Sequence, residues 1–167
     1  WRMPDDDKNL PHRTEWAYEI QQRDRQILTE HIARGGGLLG LHTASICFDT
    51  WPEWPDLLGA EWVWQPTFHP PPAELYVTVS DVHDVTRDLN DYFLVDELNH
   101  NLGAAPSSFH LLKTLSSHDD SLQSIAFANE KFNGKVVYSA LGHDRASVTT
   151  EGHAKFLQSA ANWCSIG

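Results

Sequence analysis

The sequence predicts an α/β fold with three layers, in which a mostly parallel sheet carries an added antiparallel hairpin. A helical pattern over residues 14–34 leads into Gly37–Leu41, a short apolar strand of the type that parallel sheets bury. A second apolar strand at 135–141 follows Asn133-Gly134, the strongest turn signal in the chain. A last amphipathic helix over 151–164 can cover one face of the sheet.

Each element has its own signal along the chain. Residues 1–13 are polar, contain two prolines and are expected to form a loop. Trp16, Ile20, Ile27 and Ile32 give helix 14–34 its apolar side, and Gly35 is a suitable stop. A short helix or turn is expected at 49–58, and strands are expected at 61–68, 74–80, 92–96, 109–115 and 123–129. A doubly wound sheet normally opens with a strand, so we expect the single domain 1–167 to lack one or more leading strands.

The composition limits the classes of partner. The chain has 167 residues, 41% of them hydrophobic, which suits one packed domain. Its formal net charge of -11 disfavours nucleic acid and anionic membranes and favours a neutral or cationic small molecule or a metal ion. Cys47 and Cys164 form no metal-site or disulfide pattern, so we expect them to be unlinked, in a cytoplasmic protein. Homo-oligomerisation is left open.

Two of the buried strands lead into a histidine, which suggests a common site. His42 follows GLLGL and His143 follows KVVYSALG. Because ligands of open α/β sheets bind beyond the carboxyl ends of the strands, we expect both imidazoles in one cavity with Glu97 at its wall. Asp96, Glu97 and nearby His100 follow a third strand, and histidine with carboxylate suits zinc or another first-row metal. The alternative is that each is an ordinary loop residue.

Other residues allow competing interpretations. Trp51, Trp54, Trp62 and Trp64 flank the loop after His42 and could stack on sugar rings or simply pack in the core. Cys47 lies too far beyond His42 to be the nucleophile of a sharp turn after the strand. The glycine run 35–37 leads into the strand, whereas a phosphate-binding loop follows a strand and opens a helix. The run therefore does not indicate a phosphate-binding site.

Several motifs occur together in one order. They are GGGLLGLHTA from Gly35, WPEWPDLLGAE from Trp51, DVHDVTRDL from Asp81, FLVDEL from Phe93, GKVVYSALGHD from Gly134 and NWC from Asn162. This order resembles the ThuA-like family, named for trehalose utilisation, over about residues 22–163. In two respects the sequence departs from the family pattern: Asp84 follows His83 where proline is usual, and the opening strand and its loop are absent.

The resemblance implies a flavodoxin-like sheet of the class I glutamine amidotransferase type. In amidotransferases a cysteine follows the strand that GLLGL matches, whereas here His42 and Thr43 hold that place. His143 follows a late strand, as the amidotransferase histidine does. The family is associated with sugar and glycoside catabolism, and its reaction is poorly defined.

We therefore expect a domain that performs acid–base or metal-assisted chemistry on a carbohydrate or a derivative. The expected catalytic residues, which are also the candidate ligands of a divalent metal such as zinc, are His42, Glu97 and His143. The expected substrate-binding residues are Trp51, Trp54, Asp96 and His100. The expected partner is a small-molecule sugar or glycoside, with no nucleic acid and no membrane. The alternatives are a non-catalytic carbohydrate-binding domain and an amidotransferase-like hydrolase that uses Cys47.

Overall fold

The computed structural model describes residues 1, 3, 7–80 and 83–165. The helices are α1 (Arg13–Trp16), α2 (Gln22–Ala33), α3 (Trp54–Leu58), α4 (Arg145–Thr149) and α5 (Glu151–Ser165). The strands are β1 (Gly37–Leu41), β2 (Ala60–Glu61), β3 (Ala73–Val79), β4 (Tyr92–Asp96), β5 (Gly103–Ala104), β6 (Phe109–Leu115), β7 (Leu122–Asn129) and β8 (Lys135–Ser139). None of the helices within the described ranges has the length and apolar character that crossing a bilayer requires.

The main sheet is mixed and mostly antiparallel, in the order β1-β8-β7-β6-β3-β4. Strands β1 and β8 pair in parallel, whereas β7–β8, β6–β7, β3–β6 and β3–β4 are antiparallel. Strands β2 and β5 form a second, two-stranded sheet. The α/β class is confirmed, and the prediction of a three-layer, mostly parallel sheet is corrected. The connectors between β6, β7 and β8 are too short for a parallel crossover, which takes a dozen or more residues.

Two predicted elements differ from those observed. The helix predicted over 14–34 is broken, because the chain is extended between α1 and α2, where Ile20 is buried in the core instead of lying on a helix. The aromatic strand predicted at 61–68 shrinks to β2 and isolated bridges such as Phe68 to His100. Helix α4 was not predicted; the Asp144 side chain caps it by accepting a hydrogen bond of 2.8 Å from the Ser147 amide.

Helix α5 fills the concave side of the sheet. It contacts β1 and β8 at one end of the strand order and β4 at the other, so the sheet curls around it. His153, Phe156, Ala160 and Cys164 form its buried side; the apolar spacing also predicts Leu157 and Ala161 there, but Leu157 is half-buried and Ala161 is exposed. At Gly37 in β1 the approach is so close that a Cβ atom would lie 2.0 Å from the carbonyl oxygen of Cys164. Only glycine allows this contact.

The curl brings three strand ends together. Because directions alternate through the antiparallel pairs, β4 runs in the same direction as β8 and β1. The carboxyl ends of these three strands therefore lie at the same end of the sheet. They are followed by His42 after β1, by Glu97 after β4 and by the segment leading to His143 after β8.

The other face of the sheet exposes a row of apolar side chains across four strands. Tyr76 of β3 is directly opposite Phe93 of β4, and Leu115 of β6 is opposite Leu122 of β7. The register of β3 with β6 places Tyr76 beside Leu115. These four side chains, the exposed apolar row, are between 49% and 62% exposed.

Candidate functional site

The backbone turns sharply at His42, immediately after β1. His42 has a φ of 43°, in the left-handed region that non-glycine residues rarely adopt, and begins a short 3₁₀ turn, His42–Ser45. The buried Tyr138 hydroxyl holds the turn, since it lies 2.8 Å from the His42 carbonyl oxygen and 2.9 Å from Ser45 Oγ. Burial raises the pKa of Tyr138, so this hydroxyl keeps its hydrogen. The strained residue thus lies where the family resemblance expects the reactive group.

The His42 ring has a defined orientation. Its Nδ1 lies 3.2 Å from the carbonyl oxygen of Ala140, just beyond β8. A carbonyl oxygen only accepts hydrogen bonds, so Nδ1 carries the hydrogen. Nε2 then faces the carboxylate of Glu97, 3.7 Å from Oε2.

Glu97 is the centre of the group. Its Oε2 is 3.0 Å from His143 Nδ1, and its Oε1 is 3.5 Å from His69 Nδ1. The rings of His42 and His143 stand edge to face with centroids 5.3 Å apart. One carboxylate therefore contacts three imidazoles, although its side chain is only 13% exposed.

Asp96 positions this group from beneath. It is buried, and its carboxylate accepts hydrogen bonds from the backbone amides of Glu97 (2.7 Å), Gly142 (2.7 Å) and His143 (3.3 Å). The Ser147 hydroxyl donates a further bond to it. Asp96 thus ties the end of β4 to the loop after β8 and sets the spacing of Glu97 and His143.

A cavity of about 450 Å³ opens over these side chains. Its lining consists of Trp1, His42, Thr43, Ile46, Cys47, Trp62, His69, Glu97, Asn99 and His143. The volume is within the range of small-molecule sites, and an apolar wall with a few converging polar groups is their usual character.

The predicted substrate-binding residues do not line this cavity. Trp51 and Trp54 are buried and stacked, with centroids 5.5 Å apart, and Trp54 Nε1 donates to the Ala44 carbonyl oxygen. His100 is buried against Phe68, with ring centroids 4.6 Å apart. Asp96, the fourth of these predicted residues, is buried beneath the site.

Several lining residues were absent from the sequence-based site prediction, among them His69, Trp62 and Asn99. His69 follows the strand predicted at 61–68, and Asn99 lies two residues beyond Glu97. The signal that could have found Asn99 is its position just after β4, on the same side of the sheet as Glu97. His83, three residues beyond the strand predicted at 74–80, instead contacts Glu130, with His83 Nε2 3.3 Å from Oε1.

The cysteines behave as isolated thiols. Cys47 and Cys164 are both free, which confirms that they are unlinked. Cys47 does line the cavity, but burial raises the pKa of its thiol and so disfavours the thiolate a nucleophile needs. His42, and not Cys47, occupies the strained turn after β1.

His42, Glu97 and His143 could hold a metal ion. One ligand atom from each lies within 4.8 Å of the others, and two imidazoles with a carboxylate are a donor set that suits zinc. The same three groups could also exchange protons without a metal.

Comparisons with solved structures give the fold. A ThuA-like protein from Parabacteroides merdae superposes with a TM-score of 0.77 at 18% identity, over 90% of this chain and 68% of that one. One from Bacteroides uniformis gives 0.66 at 19% identity, over 86% and 64%. A cytoplasmic protein from Salmonella typhimurium LT2 gives 0.58 at 19% identity, over 94% and 64%. The chain thus spans about two thirds of the length of these structures. No curated protein matches it.

The family is shown by sequence. The model of the ThuA family, described as trehalose utilisation, matches residues 13–164. That range takes in β1 through α5 and includes His42, His69, Glu97 and His143. The chain belongs to the ThuA family.

Proposed function

We propose that this chain is a ThuA domain of sugar or glycoside catabolism that performs acid–base or metal-assisted chemistry on a carbohydrate. The observation that carries the proposal is the convergence of His42, Glu97 and His143 at three strand ends in one cavity. The family description, trehalose utilisation, supports a sugar as the substrate class.

The cavity has the features that a sugar needs. Its volume of about 450 Å³ accommodates a small sugar, and the indole of Trp62 offers an apolar surface for the C–H face of a pyranose ring. Asn99 and His69 provide groups that can hydrogen-bond hydroxyls at the wall.

The three central side chains have distinct roles in this proposal. In the acid–base form of the proposal, without a metal ion, His42 has Nδ1 fixed on the Ala140 carbonyl oxygen and presents Nε2 to take a proton from a carbohydrate carbon or hydroxyl. Glu97 stabilises the imidazolium that forms, because its Oε2 faces Nε2. His143, at the rim, returns a proton to the leaving oxygen.

The test is turnover of a panel of glycosides and their oxidised derivatives by the wild type and by His42→Ala, His143→Ala and the double variant. Each single replacement should lower kcat by at least about 100-fold, the usual contribution of a positioned acid or base. The double variant should lose little more, because the groups act as a unit. Thermal unfolding of each variant should stay close to that of the wild type.

Two other functions make different predictions. A non-catalytic binding domain would bind sugars, detected by ligand-observed NMR, and would turn over none. A hydrolase using Cys47 would lose its activity on alkylation of that thiol, whereas the proposed chemistry survives in Cys47→Ser. Cytoplasmic location and the absence of nucleic acid and membrane partners remain part of the proposal; the net charge of -11 supports the latter.

A further inference from the structure

The starting observation is a pair of hydrogen-bond acceptors that face each other. With its hydrogen on Nδ1, neutral His42 presents a lone pair at Nε2, and the atom opposite is Glu97 Oε2 at 3.7 Å. Two acceptors at this separation repel each other, and a metal ion bound between them would remove the repulsion.

The distances suit a metal ion. Zinc binds nitrogen and oxygen at about 2.0–2.2 Å, so neighbouring ligand atoms around a tetrahedral ion lie about 3.4 Å apart. Here the two nitrogen–oxygen separations are 3.7 Å for His42 and 3.0 Å for His143, and all three ligand atoms lie within 4.8 Å of one another. The first separation is about 0.3 Å longer and the second about 0.4 Å shorter than that tetrahedral spacing.

The surroundings are those of a supported ligand set. His69 Nδ1 lies 3.5 Å from Glu97 Oε1 and 3.3 Å from the Pro70 carbonyl oxygen, and since both partners accept, Nδ1 carries the hydrogen. His69 therefore holds the carboxylate oxygen that faces away from the other two imidazoles. In metal sites, outer groups that contact the ligating side chains commonly orient them.

We propose that His42 Nε2, His143 Nδ1 and Glu97 Oε2 bind one divalent first-row transition metal ion, with zinc as the best match, and that His69 orients Glu97. Two imidazoles and one carboxylate favour zinc over magnesium or calcium, which prefer oxygen ligands. The three side chains line the cavity, so a bound ion would be accessible to a water molecule or a sugar hydroxyl. The catalytic use of the ion rests on the proposed function, whereas the binding itself does not.

The experiment is a titration of the whole 167-residue chain, stripped of metal with a chelator, with zinc and then magnesium. Isothermal calorimetry and elemental analysis should give about one zinc per chain and no comparable magnesium binding. Cobalt(II) in place of zinc should give the strong visible absorption of a four-coordinate site.

The variants define the ligands. Glu97→Gln, which keeps the shape of the side chain, and His143→Ala should abolish the cobalt spectrum. His69→Ala should weaken zinc binding by roughly 10–100-fold, as expected for an outer partner. His110→Ala is the matched control and should bind zinc like the wild type. His110 is exposed at the amino end of β6, at the end of the sheet opposite to the proposed site.

The outcomes separate the metal from the function. No zinc binding by the wild type, or binding that Glu97→Gln leaves unchanged, overturns the metal site. Sugar turnover by metal-free protein would then leave the acid–base form of the proposed function standing. Zinc binding without turnover of any sugar would support the site and count against the proposed function. Circular dichroism of each variant shows whether lost binding reflects unfolding.

Discussion

At the scale of single residues, His42 combines a strained backbone with a functional side chain. Its φ of 43° costs a non-glycine residue roughly 1–2 kcal/mol. The hydroxyl of Tyr138 and the carbonyl oxygen of Ala140 hold the turn and the ring in place. Such strain is tolerated where the surrounding structure determines the conformation, and it aims the imidazole into the cavity.

Comparing His42→Gly with His42→Ala isolates this strain. Both variants remove the imidazole, and they differ in how easily the backbone adopts a positive φ. We expect the glycine variant to be the more stable by about 1 kcal/mol in urea unfolding, with both equally deficient in turnover. An alanine variant as stable as the glycine variant would mean that the turn relaxes once the ring is removed.

The sequence predicted the centre of the site better than its walls. His42, Glu97 and His143 each follow a strand, and the direction of those strands places them together. The role of Asp96 could not be predicted, because it depends on backbone amides of Gly142 and His143, which lie far along the chain. Trp51 and Trp62 are equally aromatic in sequence, and only tertiary packing buries one and leaves the other at the cavity.

At the scale of elements, β1 and α5 lie so close together that no Cβ atom fits at Gly37. A Cβ at Gly37 would lie 2.0 Å from the carbonyl oxygen of Cys164 and 2.6 Å from its carbonyl carbon, both backbone atoms that cannot move aside. Gly37 therefore fixes how closely the helix can lie against the strand that leads to His42.

Gly37→Ala should destabilise the protein by roughly 1–3 kcal/mol or more, the usual cost of overpacking a well-packed core. Gly103→Ala is the matched control: its Cβ would meet Val63 Cγ2 at 3.2 Å, a side-chain atom that can yield. Chemical denaturation of both variants measures the difference. Equal stability of the two would show that α5 can shift away from β1.

The contact of α5 with β4 makes stability depend on pH. His153 is buried with its Nδ1 3.1 Å from the Tyr92 hydroxyl, and burial lowers its pKa to about 4, although nearby Asp96 acts in the opposite direction. In the unfolded chain the pKa of histidine is about 6.5. The unfolded state therefore binds the proton first, and stability falls as the pH drops from about 6.5 to 4.

His153→Gln should flatten this part of the profile. Glutamine stays neutral, so the loss of up to about 1.4 kcal/mol per pH unit that one histidine causes should disappear between pH 6.5 and pH 4. The midpoint of thermal unfolding, measured across this range, provides the test. If wild type and variant lose stability in parallel, His153 does not control the acid response.

Strand positions were more predictable than strand directions. The bounds of β4 and β6 agree with the sequence prediction because β-branched and aromatic residues mark them. The prediction of a parallel sheet was wrong because it relied on apolar content, whereas the short connectors around β7 require antiparallel neighbours. The helix predicted over 14–34 was too long. Ile20 fits the helical spacing of apolar residues, but it is buried from an extended segment between two helices.

At the scale of the whole molecule, the exposed apolar row gives the outer face of the sheet a hydrophobic surface. Its members are Tyr76, Phe93, Leu115 and Leu122, aligned across four strands. Exposed apolar residues are normal when they are scattered, but a contiguous row promotes association.

Replacing Leu115 and Leu122 together by threonine should weaken retention on a hydrophobic-interaction column. Threonine is β-branched, which strands favour, and both positions are more than 60% exposed, so stability should change by no more than about 0.5 kcal/mol per site. Retention equal to that of the wild type, together with sedimentation as a dimer, would show that another copy covers the row in solution.

The parallel pairing of β1 with β8 has a consequence for how the protein is made. Strand β1 lies near the start of the chain and β8 near its end, and closing so long a loop is slow relative to forming hairpins. During synthesis the antiparallel strands β3, β4, β6 and β7 can pair first, because β8, the partner of β1, has not yet left the ribosome. His42, Glu97 and His143 come together only when β8 docks. The capacity to bind at this cavity therefore arises late in folding, and a chain arrested before residue 135, which lacks β8 and α5, would have paired strands but no cavity.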